Sequence, residues 1–232
     1  MAEITAATGI FSNHPHIVTP TYKEQAYNLI KDAIIYQRFR EDAIYSQEGI
    51  CQELGISRTP VREALLELQK EGYVYFCRGK GIKIVPLDRQ DVHDVMEMRF
   101  YTEQICATLA AQRATEQDLA QMKDYLEQIR QNMESKDGVL LYHLDHQFHR
   151  ALAAAGHNSW LLHSIEEILD NYLRFEVKTV YNNLIDGNTV LNEHLAIYEA
   201  VKSGNTEKAE QAVGRHLRNS YSRTLSKYWE DK

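Results

Sequence analysis

A mainly α chain in two parts is predicted: a small N-terminal unit of three helices and a β-hairpin, then a C-terminal antiparallel α-helical bundle. Three observations carry that expectation. Apolar residues recur at helical spacing through most of the 232 residues. Two glycines fall in a short connection between β-branched and aromatic runs, within Tyr73 to Val85, as a hairpin requires. Pro86 closes that stretch, and from Asp88 onward the helical period continues with brief interruptions.

The elements follow in order. Residues 1–20 scatter Gly, Asn and Pro with no apolar period, and read as a flexible tail. A first helix is expected from Lys23 to Gln37, on a stripe of Ala26, Leu29, Ile30, Ala33 and Ile34. Ser46 is placed to cap a short second helix carrying Ile50, Cys51 and Leu54, which Gly55 ends. Ser57 is placed to cap a third through Gln69, with Val61, Ala64, Leu65 and Leu68 inward and Pro60 in its first turn. Strands are expected at Tyr73–Phe76 and Ile82–Val85, joined by Arg78-Gly79-Lys80-Gly81. Six further helices are expected near 90–113, 116–135, 137–155, 158–183, 188–203 and 206–229. Short loops between amphipathic helices imply antiparallel neighbours. The domains expected are therefore 21–87 and 88–232.

Composition narrows the function classes. The chain is 44% hydrophobic and 25% charged, ordinary for a soluble globular protein. No run approaches the ~18–20 apolar residues of a membrane span, and the first twenty residues lack the basic and apolar regions of a secretory leader. Cys51, Cys77 and Cys106 lie far apart, which suits reduced thiols in the cytoplasm better than a disulfide frame or a zinc knuckle. The net charge of −7 is unevenly spread: residues 21–87 hold ten Lys/Arg against nine Asp/Glu, whereas 88–232 hold sixteen against twenty-three. A near-neutral N-terminal unit with clustered arginine can still hold phosphates.

That cluster lies in Leu54-Gly55-Ile56-Ser57-Arg58-Thr59-Pro60-Val61-Arg62-Glu63-Ala64-Leu65. A short helix, a glycine turn and a second helix suit helix-turn-helix geometry, which inserts the start of the second helix into a major groove. Arg58 and Arg62 are four apart and share a face. The arginine fork matches guanine O6 and N7 together. Ser57 and Thr59 suit phosphate oxygens, and the Arg78, Gly79, Lys80 tip suits an adjacent minor groove or phosphate. On spacing alone, solvated or locally paired arginines explain the pattern equally.

The run Ile56 to Leu65, followed by Leu68 and Glu71-Gly72, resembles the signature of the GntR family of bacterial regulators, over residues 22–86. The resemblance implies a winged helix-turn-helix that binds a palindromic operator in double-stranded DNA as a homodimer. Arg58 and Arg62 then contact bases, Ser57 and Thr59 the backbone, and Arg78–Gly81 forms the wing. The chain departs from the family where a Pro-Gly turn and a Leu-Ala pair are usual; here stand Arg40 to Ile44 and Ile50-Cys51.

The second region carries a histidine pattern. Asp145 and His149 are i and i+4 on a helix that otherwise buries Leu141, Leu144, Phe148 and Leu152. His194 and His216 are equidistant from Asn205, in the turn between two helices, so in an antiparallel pair they lie level, ~16 Å from it at ~1.5 Å per residue. Asp with three His suits Zn²⁺, Ni²⁺ or Mn²⁺. With ten histidines, chance pairings abound, and His146 with His149 is a rival pair. Asp145-His146-Gln147-Phe148-His149, Gly156-His157-Asn158, Glu193-His194 and His216 resemble the FCD-type ligand-binding domain of the family's FadR-like branch, over most of 90–228. That resemblance implies a divalent metal on Asp145, His149, His194 and His216, close to a small carboxylate effector.

Arg99 precedes Glu103 by four residues, and reads either as an anchor for an effector carboxylate or as a surface pair. Tyr172 and Arg174 are further candidates for the effector pocket. The expected function is a ligand-responsive repressor and not an enzyme. Two other uses of the cluster remain: a water-activating metalloenzyme, against which no general base stands beside the ligands, and a purely structural metal.

Overall fold

The computed structural model describes residues 20–133, 138–180 and 187–230. Nearly all of the expected tail, residues 135–137 of the break expected at Ser135–Gly138, and Asp186 of the one expected at Asp186–Asn188 fall outside the described residues; Gly187 and Asn188 already belong to a helix. The elements in chain order are α1 (Tyr22–Ile35), α2 (Gln47–Leu54), α3 (Arg58–Lys70), β1 (Val74–Cys77), β2 (Gly81–Ile84), α4 (Arg89–Arg113), α5 (Glu116–Asn132), α6 (Gly138–Ala154), α7 (Ser159–Val180), α8 (Gly187–Lys202) and α9 (Thr206–Glu230). Two compact units result, one of residues up to 30 with 44–83, the other of 31–43 with those from 84 onward. Among the described residues no helix is long and apolar enough to cross a membrane.

The first unit is a mainly helical winged helix-turn-helix. Along α1 the line Ala26, Ile30, Ile34 is buried, while Leu29, expected inward, is 54% exposed. Leu29 lies ~100° around the helix from Ile30, far enough to leave the buried line. Ser46 caps α2 by accepting from the Gly49 N–H at 3.0 Å, and Gly55 ends it at φ +66°. Ser57 occupies the N-cap of α3 but makes no capping hydrogen bond with its side chain. The reason is local: the third helical position is Pro60, which has no N–H to donate. Val61, Ala64, Leu65 and Leu68 are fully buried and seat α3.

β1 and β2 form the hairpin, displaced by one residue from the strands expected. Tyr45, before α2, bridges Ile82 with both backbone N–H···O bonds at 2.9 Å, a third pairing that periodicity does not signal. This approach explains Gly81. Its φ is +136°, and a Cβ there would stand 2.0 Å from the Tyr45 carbonyl oxygen. Gly81→Ala is therefore expected to destabilise this unit by about 1–3 kcal/mol, through strain and a broken bridge. Denaturant unfolding of the variant measures the loss; an unchanged midpoint contradicts the reading.

The second unit is a bundle of α4 to α9. Asp88 caps α4 with Asp91 in a capping box, and Thr115 does the same for α5 with Asp118. Gly204, at φ +70°, turns α8 into α9. The long helix α4 packs on α9, α7 and α6, while α5 packs on α6 and α8 on α9. Met122, Phe148, Leu152, Ile197 and Val213 lie in its main core. Within the same apolar interior, Arg99, Glu103, His146, His149, Arg174, His194 and His216 are buried. Buried ionisable groups are unfavourable unless paired, hydrogen-bonded or bound to a metal, so they mark where to look for chemistry.

Candidate functional site

In the first unit, Ser57, Arg58, Thr59 and Arg62 are all exposed at the start of α3. The buried side of α3 begins at Val61, and Arg58 and Arg62, four residues apart, share an exposed flank beside it. Arg58 donates from Nη2 to Glu48 Oε2 at 3.0 Å, with its side chain 71% exposed. Such a surface pair is worth only about 0.2–1 kcal/mol and exchanges readily for a phosphate or base. Arg62 makes no hydrogen bond or ion pair among the described residues. The Ser57 hydroxyl, unused as a cap, is open to another partner. Arg78, Gly79 and Lys80 form the exposed hairpin tip, with Gly79 at φ +71°.

In the second unit, one ligand atom from each of Asp145, His149, His194 and His216 lies within 4.8 Å of all the others. His194 Nε2 is 3.3 Å from both His149 Nε2 and His216 Nε2, and 3.2 Å from Asp145 Oδ1. Asp145 Oδ2 is 3.7 Å from His149 Nε2. His146, the rival suggested by spacing, is not one of this set. It is buried elsewhere, stacked on Tyr172 with ring centres 5.8 Å apart.

Two carboxylates orient the imidazoles. His149 Nδ1 is 2.5 Å from Glu103 Oε2, and His216 Nδ1 is 2.8 Å from Glu193 Oε2. A neutral imidazole carries one N–H, and a carboxylate partner draws it to Nδ1. Nε2 lone pairs of His149 and His216 then converge with the Asp145 oxygens, an arrangement that repels itself unless a cation lies among them. The Nδ1 atom of His194 is buried with no hydrogen-bond partner. This donor set fits a divalent metal.

Glu103 is itself held by Arg99, whose Nε donates to Oε1 at 2.6 Å, with both side chains at most 3% exposed. Arg99 and Glu103 are thus an i,i+4 pair as the spacing allows, but a buried one. Burial alone raises the Glu103 carboxyl; His149 and Arg99 outweigh it and hold it well below the usual range. Glu193 behaves alike: burial raises it, and hydrogen bonds from His216, Arg223 and Asn219 bring it far down. Neither glutamate was singled out as an orienting group by the sequence. The i,i+4 spacing of Arg99 and Glu103 was visible, but nothing local points Glu193 at His216. Tyr172 is buried, with the Arg99 guanidinium 4.1 Å from its ring centre, and both line a cleft between α4 and α9. Arg174 is buried but does not line that cleft.

Burial pushes His146 and His194 well below the ordinary imidazole value, and lowers His216 despite its bond to Glu193. The sign follows directly. The unfolded chain binds these protons near pH 6.5 and the folded chain does not, so stability is complete above ~6.5 and lost as pH falls below it. Melting temperatures between pH 7.5 and 5 are expected to fall on the acid side; a flat profile contradicts the buried neutral histidines.

Residues 22–84 match the family described as bacterial regulatory proteins, gntR family, and residues 94–219 match the FCD domain. The chain is 30% identical to the HTH-type transcriptional regulator LutR of Bacillus subtilis over 82% of this chain and 94% of that protein. It is 27% identical to the Glc operon transcriptional activator of Escherichia coli K12, over 75% of this chain and 76% of that one. Among solved structures, E. coli McbR/YncC is similar in fold, with a TM-score of 0.81 at 19% identity, covering 90% of this chain and 100% of that one.

Proposed function

The chain belongs to the GntR family of bacterial transcriptional regulators, with an FCD domain behind its winged helix-turn-helix, and we propose that it is a ligand-responsive repressor acting on a palindromic operator as a homodimer. In this reading it works in the cytoplasm. Arg58 and Arg62 read bases from the start of α3, Ser57 and Thr59 take backbone phosphates, and Arg78, Gly79 and Lys80 form the wing contact. Asp145, His149, His194 and His216 hold a divalent ion, and a small carboxylate effector binds close by, with Arg99, Tyr172 and Arg174 around it.

The observation that carries the sensing half is the meeting of imidazole Nε2 atoms at 3.3 Å, with two Nδ1 positions occupied by Glu103 and Glu193. Three nitrogens and a carboxylate favour Zn²⁺, Ni²⁺ or Mn²⁺ over Ca²⁺ or Mg²⁺. Such an ion supplies positive charge that attracts an effector carboxylate. Half-sites of a duplex recur about 34 Å apart, so a small change in how the paired bundles set their reading heads breaks register. Against the metalloenzyme reading, Glu193 is not a free base: it is occupied by His216, Asn219 and both terminal nitrogens of Arg223.

The test is metal content and its removal. One divalent ion per chain is expected after purification, absent from Asp145→Ala. Chelation should lower the melting temperature and added Zn²⁺, Ni²⁺ or Mn²⁺ restore it, by about 2.7 kcal/mol at a hundredfold excess over Kd. A metal-free chain with no response to any of the three ions contradicts the proposal.

A further inference from the structure

The boundary between the two units falls inside a helix. Residues up to 30 count with the first unit and 31–43 with the second, yet α1 runs unbroken from Tyr22 to Ile35. Within the first unit it is tied to α3: Lys23 Nζ is 2.7 Å from Glu67 Oε2, and the Tyr27 hydroxyl donates to Glu71 Oε2 at 2.6 Å. Its last turn, already in the second unit, places Lys31 Nζ 2.8 Å from Asp170 Oδ2 on α7. Just beyond, the Tyr36 hydroxyl is 3.2 Å from His143 Nδ1 on α6, and Ile34 and Ile35 are buried. The sequence of α1 holds none of the Pro, Gly or Ser at which helices kink, so it is a stiff rod between these anchors.

Asp170 is the junction. Its Oδ1 accepts from Arg150 Nη2 on α6 while its Oδ2 meets Lys31, and the Lys31, Arg150 and Asp170 side chains are only 15%, 22% and 17% exposed. Ion pairs so sheltered are screened less than surface pairs. Arg150 follows His149 on α6, a single helix from Gly138 to Ala154. At ~100° per residue, His143 and Arg150 share one side of α6, while Asp145 and His149 share another, ~130° around. Two of the four clustered ligand residues therefore ride on the helix that carries Arg150. Without a cation, their converging lone pairs push α6 away from α8 and α9, and Arg150 goes with it.

We propose that Asp170 is a positioning residue for operator recognition: it joins Arg150, on the helix that bears Asp145 and His149, to Lys31 on α1, and through α1 it orients α3. The proposal rests on the reading of a metal-holding operator binder, and names the contact that carries the state of the cluster to the recognition helix. With the ion bound, α6 is fixed, Arg150 holds Asp170, and Asp170 holds the last turn of α1. Without it, the Arg150 contact slackens and α1 loses a firm anchor. The loaded chain then binds its operator more tightly, because less orientational freedom is lost on binding.

The test is the operator affinity of the full chain before and after chelation, loaded with whichever of Zn²⁺, Ni²⁺ or Mn²⁺ binds at one per chain. The duplex is one selected from a random library, and the temperature one at which circular dichroism shows the chelated chain still helical. The loaded chain should bind at least about fivefold tighter, the low end of usual coupling between sites. In Asp170→Asn and in Lys31→Met that ratio should fall to within about twofold of one, with the metal retained. Asp170→Glu should restore it, and the double variant Lys31→Met, Asp170→Asn should lose no more than either single, because both break one contact. Lys31→Met leaves the Arg150 pair in place and suits a helix, so it decides the matter where Asp170→Asn fails to fold. A role in stability alone lowers the melting temperature and spares the ratio. A wild-type ratio that persists in both single variants therefore overturns the proposal and leaves metal-responsive operator binding standing. A metal-loaded wild type whose ratio stays below fivefold overturns both.

Discussion

The double variant Arg58→Ala, Arg62→Ala is expected to lose sequence discrimination while remaining folded. Both side chains are exposed and lie away from Val61, Ala64, Leu65 and Leu68, which seat the helix. A bidentate arginine–guanine contact contributes about 1–3 kcal/mol of discrimination, so two together account for roughly 2–6 kcal/mol, or about 30-fold to 10⁴-fold in the specificity ratio. Weak, strongly salt-dependent binding should survive, because Arg78 and Lys80 remain at the hairpin tip and phosphate attraction needs no sequence. Competition between operator and non-specific duplex measures the ratio. An unchanged ratio removes the recognition-helix assignment.

The largest stability effect is expected from Glu103→Ala. Glu103 is a buried carboxylate between the Arg99 guanidinium at 2.6 Å and His149 Nδ1 at 2.5 Å. Removing one partner of a buried pair costs about 3–5 kcal/mol, because the other charge stays out of water. At ~2–4 °C per kcal/mol in a protein of this size, the melting temperature should drop by about 6–20 °C. Glu193→Gln separates orientation from stability. Glu193 is more accessible, so the fold should survive, while metal affinity falls about 10–100-fold as the His216 ring loses its anionic partner. Calorimetric unfolding of the first variant and metal titration of the second give the two numbers. An unaltered melting temperature for Glu103→Ala contradicts the buried-pair account.

Much of this is legible in the sequence. Every helix from α4 to α9 was signalled by apolar period and turn residues, and the bounds at Thr115 and Gly204-Asn205 lie where caps and left-handed glycine place them. His194 and His216 could be paired because a helical hairpin has a mirror point, and Asn205 marks it. What stayed hidden depended on long-range packing. The Tyr45–Ile82 bridge joins residues far apart in sequence, so Gly81 looked like an ordinary turn glycine. Leu29 stays outside because the buried stripe of α1 widens on its other side, through Ile34 and Ile35, and leaves Leu29 exposed. Ser57 stands at the N-cap as its type suggests, but Pro60 three residues later removes a donor that its hydroxyl needs. The roles of Glu103 and Glu193 became visible only when α4 met α6 and α8 met α9.

The most direct test of the account is selection of duplexes from a random library by the purified full chain. The account predicts enrichment of an inverted repeat whose half-site centres lie about 34 Å, one helical turn, apart. A library recovered without any sequence preference, or with a single unrepeated motif bound by one chain, contradicts it.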